Sequence, residues 1–255
     1  MKSKIVAFVS TKGGVGKSSS TILTANYLAA LEKNVLVIDT DYSNSTTLYY
    51  LESKSSLQGK GFSNALKNGC LVDNIVSTRN EHIDIIPSNT DIERLVLKDE
   101  SVLKNLIAID ADALTLYDYI LIDTSQGYSS TVENAIYAAN IILTPVMLCQ
   151  FDMISCLTMQ SKIIEADKLL SWGLFFNGVN QYAQNKNSSH YQYISLYKKT
   201  FSQCLNLFVP KTSAVTNVID RDIRITKKDN DKLYNSIKGL VSVIVEESIL
   251  DVESF

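Results

Sequence analysis

The segment Lys12-Gly13-Gly14-Val15-Gly16-Lys17-Ser18, followed by Ser19, concentrates residue types that suit an anionic phosphate. Glycines let the backbone curl so that successive N–H groups face one anion. A helix opening at this point adds the partial positive charge of its N-terminus. Lys17 then reaches the β- and γ-phosphates of a nucleoside triphosphate, and the Ser18 hydroxyl is placed to ligate magnesium. Two other segments carry acids at the end of an apolar run. Val35-Leu36-Val37-Ile38-Asp39-Thr40-Asp41 ends in two carboxylates, and strand alternation points both to the same side. Tyr119-Ile120-Leu121-Ile122-Asp123 ends in one, suited to holding magnesium through a water. The cofactors implied are ATP and Mg2+, with Ser18, Asp39 and Asp123 as candidate metal residues.

These residues need a scaffold that gathers strand ends. Apolar runs suited to buried parallel strands recur at Ile5–Val9, Val35–Ile38, Ile83–Ile86, Tyr119–Ile122, Ile141–Val146, Leu174–Val179 and Leu207–Val209. Helical patterns lie between most of them. Ser18 to Leu31 sets Ile22, Ala25, Leu28 and Ala29 on one face, and Phe151 to Leu170 and Asp231 to Glu247 are also amphipathic. Alternating strands and helices predict an α/β fold, a mostly parallel twisted sheet with helices on both faces. In such sheets the carboxyl ends of the strands form the ligand crevice. Glu52 to Gly61 and Asn180 to Ser189 have loop composition. No Pro/Gly-rich linker divides the chain, so residues 1–255 are expected to form one domain.

Composition narrows the classes further. Hydrophobic residues make up 45% and charged residues 20% of 255, which is ordinary for a globular protein. The net charge of -3 means that any nucleic-acid contact must come from a local basic patch. Cys70, Cys149, Cys156 and Cys204 form no C-x-x-C pair and are expected to be reduced, which fits a cytoplasmic protein. The apolar run Ile5–Val9 is too short for a targeting segment and is followed at once by the glycine-lysine chemistry, which argues for a first strand.

The K-G-G-x-G-K-S form has Thr11 where the general phosphate-loop pattern has glycine, and it adds Lys12. It resembles the deviant P-loop of the ParA/MinD family of ATPases, closest to the Soj-like partition ATPases. The resemblance implies that Lys12 reaches across an ATP-bound homodimer to the partner's phosphates. It also implies that Asp41 positions the attacking water while Asp39 supports the magnesium shell. Lys12, Lys17 and Asp41 become the catalytic candidates, and Lys12 to Ser19 the nucleotide-contacting set. The chain departs from the family at Tyr42-Ser43, where relatives have Pro-Gln, and at Ser125-Gln126, where they have Pro-Pro. Phe62–Leu66, Ile83–Ser88 and Ile141–Val146 also look like family elements. Asn180 falls where relatives place an adenine-contacting Asn, though it could equally be a turn residue. Pro210 resembles the segment bordering the base and has the same two readings.

The family resemblance implies DNA segregation with a ParB-type centromere-binding partner and non-specific DNA, in the cytoplasm on the nucleoid. DNA binding needs phosphate-facing cations. Candidates are Lys198, Lys199, Lys211, Arg221, Arg224, Lys227 and Lys228, with a plain solvated surface as the alternative. Nearby Tyr191, Tyr193 and Tyr197 have the spacing of packing residues. The segment Val245–Phe255 carries four acids and no Lys or Arg, so an anionic lipid surface is not an expected partner. Positioning of another large cargo, such as a chemotaxis or division complex, and an ATP-gated DNA-binding regulator with little turnover are the alternative roles.

Overall fold

Apolar residues on both faces of a strand demand cover on both sides, and the chain supplies it. The computed structural model describes residues 3–51, 59–89, 91–92, 96–180, 183, 185–221, 226–228 and 230–246. The first half runs β1 (Lys4–Ser10), α1 (Lys17–Ala30), β2 (Val35–Asp39), α2 (Ser45–Tyr50), α3 (Phe62–Asn68), β3 (Val76–Ser77), β4 (Ile83–Ile86), α4 (Val102–Ile109) and α5 (Ala111–Leu114). The second runs β5 (Tyr119–Gln126), α6 (Ser130–Ala138), β6 (Ile141–Val146), α7 (Gln150–Glu165), β7 (Trp172–Val179), α8 (Ser189–Thr200), β8 (Cys204–Pro210), α9 (Ser213–Arg221) and α10 (Asp231–Glu246).

The strands form one sheet in the order β3-β4-β2-β5-β1-β6-β7-β8. Every neighbouring pair is parallel except β3 with β4. Strand alternation divides the core in two. Ile5, Ala7 and Val9 of β1 pack with residues of α3, α4, α6, α7 and α8, whereas Val6 and Phe8 pack with α1, α9 and α10. Ile22, Ala25, Leu28 and Ala29 are buried on α1, as the sequence pattern predicts. Full burial of each such aliphatic side chain contributes about 1.5–3 kcal/mol. The sheet is thereby held rigidly behind its carboxyl rim.

Three elements differ from expectation. β5 continues past Asp123 to Gln126, because Ser10 of β1 pairs with Gln126 after a register shift. β8 starts at Cys204, earlier than its apolar run. α7 stops at Glu165, where Asp167 takes φ 54 and Lys168 N–H returns to the Ile163 carbonyl. Residues 52–58 of the first loop-like segment lie outside the described residues, and the second yields to α8, capped by Ser188.

Candidate nucleotide site

The central strands β2, β5 and β1 are adjacent, so their carboxyl ends bring three segments to one rim. Between β1 and α1 the chain turns through Gly14 at φ 73 and Gly16 at φ 98, left-handed positions that favour glycine. Two neighbours press on this loop. A Cβ on Gly13 would stand 2.0 Å from Gln126 Oε1, and one on Gly16 would stand 2.1 Å from Asn177 Nδ2. Asn177 also donates to the Val15 carbonyl at 2.7 Å, which ties β7 to the loop. The Val15 side chain is buried, so only its backbone is available to a ligand.

A cavity of about 340 Å³ opens over this loop, lined by Gly13, Gly14, Gly16, Lys17, Ser18, Ser19, Asp41, Tyr42, Ser43, Ser45 and Gln126. Lys17 is 6% exposed, and among the described residues its Nζ has one hydrogen bond, to the Lys12 carbonyl at 3.3 Å. Burial pulls its pKa down, against the nearby Asp123 and Asp41 charges that favour the ammonium. A buried cation so weakly satisfied is suited to an incoming anion. A larger cavity, about 740 Å³, lies at the far end of the strands, walled by aliphatics such as Ile5, Ile107 and Leu114. It has none of the glycine backbone that a phosphate requires.

The acids divide by how they are satisfied. Asp39 and Asp123 are paired across β2 and β5, and both are fully buried. Asp39 Oδ1 accepts from Asp41 N–H at 3.0 Å, and its Oδ2 accepts from Thr47 N–H at 2.8 Å and the Thr47 hydroxyl at 2.7 Å. Its donors come from its own chain, so Asp39 shapes the turn that carries Asp41. Asp123 Oδ2 accepts from the Thr46 hydroxyl at 2.6 Å, with the Ser18 hydroxyl also bonded to this carboxylate. Asp123 Oδ1 is buried without a hydrogen-bond partner among the described residues. Burial raises both pKa values, Asp39 to about 8 with the Asp123 charge adding to it, and Asp123 to about 6 against the Thr46 and Ser18 bonds. An orphaned carboxylate oxygen next to a serine hydroxyl, in a site short of positive charge, fits a hydrated magnesium ion.

Lys12 does not line this cavity. Its Nζ lies 3.2 Å from Cys149 Sγ and 3.7 Å from Asp152 Oδ1, where α7 begins. Desolvation lowers its pKa, but the Cys149 and Asp152 contacts outweigh it and the net direction is up. Asp152 is 1% exposed and also accepts from Met147 N–H. Burial raises the Asp152 pKa against these bonds, so the ammonium is the firmer charge of the pair.

The remaining sequence candidates lie around the rim. Asn180 is exposed just after β7, and Pro210 ends β8 in register with Val179. Neither lines the cavity, and the asparagine set against the loop is Asn177. Lys211 is exposed at the same end of the sheet, its N–H bonded to the Val179 carbonyl. Asn230 Nδ2 donates to Thr212 Oγ1 at 3.3 Å, next in sequence to Lys211, and Lys227 and Lys228 are exposed shortly before Asn230. Lys198 instead bonds Asn206 Oδ1 at 2.8 Å and, like Lys199, sits on α8. Arg224 and the Arg221 side chain lie outside the described residues. Asn177, Thr46, Thr47, Asp152 and the pressing of Gln126 on Gly13 were not singled out by sequence reasoning. Only the Ser125-Gln126 departure gave a signal.

A family model described as an AAA domain matches residues 3–169. Among curated proteins, the chain is 30% identical over 154 residues to an uncharacterized protein of Pseudomonas putida, covering 58% of this chain and 57% of that one. It is 26% identical over 184 residues to the sporulation initiation inhibitor protein Soj of Bacillus subtilis, covering 69% and 71%. With the chromosome partitioning protein ParA of Caulobacter vibrioides it shares 26% over 168 residues, 64% of this chain and 62% of that one. The chain therefore spans under two thirds of the length of the Pseudomonas and Caulobacter relatives. A plasmid partition protein of Borrelia burgdorferi superposes with a TM-score of 0.76 at 23% identity, covering 97% of this chain and all of that one. The ATP complex of Cyanothece McdA gives a TM-score of 0.81 at 16% identity, covering 100% and 98%. Cobyrinic acid a,c-diamide synthase of Mycobacterium smegmatis, with bound ADP and magnesium, gives 0.76 at 14%, covering 96% and 95%.

Proposed function

The chain belongs to the ParA/MinD family of P-loop ATPases, and on that footing we propose that it is an ATP-dependent, dimerising partition ATPase that binds DNA without sequence preference. One observation carries the reading. A glycine-lined cavity contains a buried, barely bonded Lys17 and lies beside an Asp123 oxygen that lacks a partner, so the site is incomplete without a triphosphate and a cation. The backbone of Gly13 to Ser19 cradles the phosphates, Lys17 bridges the β- and γ-phosphates, and Ser18 with Asp123 holds Mg2+. When bound, the ion neutralises charge on those phosphates. Asp41 orients the attacking water, and Asp39 holds the Asp41 turn in place. Asn180 and Pro210 border the base. Lys12 leaves Asp152 to meet the partner copy's phosphates.

Relatives named as partition proteins support segregation of a plasmid or chromosome with a ParB-type partner. Lys211, Lys227 and Lys228 form the DNA-facing cluster, joined in the sequence by Arg221 and Arg224. Among the described residues no helix is long and apolar enough to cross a membrane. We place the protein in the cytoplasm on the nucleoid, without a membrane partner.

Phosphate release and size-exclusion chromatography with ATP and DNA test the proposal together. Asp41→Ala should accumulate as an ATP-bound dimer without turnover, because its contact acts mainly in the transition state. Lys12→Ala should bind ATP and stay monomeric. Wild-type turnover in Asp41→Ala would remove the catalytic assignment, and an ATP-bound Lys12→Ala dimer would remove the cross-dimer role.

A further inference from the structure

The mechanism above gives no task to the Gln126 side chain, which lines the cavity. Gln126 stands where relatives of this family have the second residue of Pro-Pro, and the substitution changes the backbone as well as the side chain. Proline lacks an N–H and is poorly tolerated inside a ladder. With Thr124, Ser125 and Gln126 instead, β5 continues along β1 until Gln126 pairs with Ser10. The extension is fastened at several points. The Thr124 hydroxyl donates to the Phe8 carbonyl at 2.7 Å, Ser125 is buried, and Gly127 N–H donates to the Thr11 carbonyl at 3.1 Å. The segment following Asp123 is therefore an ordered continuation of the strand.

This strand aims the Gln126 side chain across the phosphate loop. The amide lies over Gly13 so closely that a Cβ there would sit 2.0 Å from Oε1 and 3.2 Å from Cδ. It shares the cavity with Lys17 and Asp41. Among the described residues the amide has no hydrogen-bond partner, although an amide offers two donors and an acceptor. Gly13 is at the strand side of the loop, away from the helix end at Ser18–Ser19, so a nucleotide laid along the loop with its α-phosphate toward that helix end would bring its terminal phosphate near Gly13.

We propose that Gln126 is a catalytic residue of this chain, its amide holding the attacking water and a γ-phosphate oxygen over Gly13 while Asp41 aligns the same water. The inference rests on the hydrolytic reading above. In the step, the water oxygen bonds to the γ-phosphorus as the bond from phosphorus to the β,γ-bridging oxygen breaks. The bridging oxygen leaves on ADP with the electron pair. The water retains one proton on the product phosphate and releases the other to solvent. A neutral amide suits this position, since it can donate to phosphate and accept from water without adding negative charge.

The test uses the full chain with Gln126→Ala and Gln126→Glu. Single-turnover phosphate release is measured at saturating ATP and magnesium, and affinity for a non-hydrolysable ATP analogue is measured by titration calorimetry. Gln126→Ala should lower the rate constant on the order of 10- to 100-fold, as loss of a water-aligning contact does. Its analogue affinity should stay within about threefold and its melting temperature unchanged. Gln126→Glu keeps the length, and its carboxyl regains a donor when protonated, so its rate relative to wild type should rise as pH falls from about 8 to about 5. Turnover of Gln126→Ala within about twofold of wild type overturns the role. So does a loss of analogue affinity that parallels the loss of rate, or a Gln126→Glu ratio flat with pH. If wild type binds the analogue but releases no phosphate, the hydrolytic reading itself falls, and this role with it.

Discussion

Replacing Gly16 with alanine strains the phosphate loop in two separable ways. The backbone there sits at φ 98, ψ 27, where a side chain costs about 1–2 kcal/mol. The new Cβ would stand 2.1 Å from Asn177 Nδ2, so the Asn177 amide must leave and give up its bond to the Val15 carbonyl. That bond contributes about 0.5–1.5 kcal/mol. The sum is about 1.5–3.5 kcal/mol, which corresponds to roughly 10- to 300-fold weaker nucleotide binding if the loop must regain its native path around the phosphates. Titration with a non-hydrolysable ATP analogue, beside a thermal melt, measures how the strain divides between affinity and stability. Gly14→Ala is the control. Gly14 has φ 73 but open space at its Cβ, so only the backbone part applies. Adding Asn177→Ala to Gly16→Ala should cost less than the two single changes summed, because the bond is already lost. A Gly16→Ala chain with wild-type affinity and melting temperature, or strict additivity in the double variant, would refute the reasoning.

Other outcomes follow from the same geometry. Charge reversal at Lys227 and Lys228 should weaken binding to unrelated duplexes equally and flatten the log-log salt slope by about one unit per lost phosphate contact, read by mobility shift over a salt series. Sequence-selective loss would sink the patch. Metal-free protein should lose stability as pH rises from about 4 to about 8. The folded state holds protons on Asp39 (to about 8) and Asp123 (to about 6) more tightly than the unfolded chain does. Melts in EDTA that rise across this range would contradict the sign, and Asp39→Asn should shrink the slope. Burial pushes the Cys156 and Cys204 thiols up to about 12, so native protein at pH 8 should resist iodoacetamide at both, while the unfolded chain labels fully. Rapid native labelling of Cys156 would count against its buried site.

The sequence is most informative where chemistry is local. Lys12 to Ser19 is one contiguous run, and strand, loop and helix follow from its composition. Asp39, Asp41 and Asp123 were readable because each ends an apolar run, and parallel sheets collect such ends on one rim. The contacts that tune the site were not readable, because they close over long stretches of chain. Asn177 reaches Val15 across 162 residues, and Lys12 reaches Cys149 across 137. No periodicity encodes whether the asparagine within β7 or the one just after it faces the loop, so the sequence pointed to Asn180 while Asn177, inside the strand, makes the contact. The extension of β5 was hidden for another reason. Thr124, Ser125 and Gln126 are polar and resemble the start of a loop, yet the ladder to β1 keeps them extended.

The attachment of Lys12 to Asp152 bears on how two copies of this chain would meet. In the two-fold pair proposed above, symmetry would give each subunit the same exchange in the end state. Withdrawing one ammonium strands a buried carboxylate on its own subunit, and a half-exchanged pair would leave that imbalance on one side while gaining only one cross-contact. Such an intermediate lies above both end states. If the proposed pair forms, little of it would stand between separate chains and the fully exchanged state. In that proposed pair the dimer would still grow with chain concentration by mass action, while the half-exchanged form stays scarce.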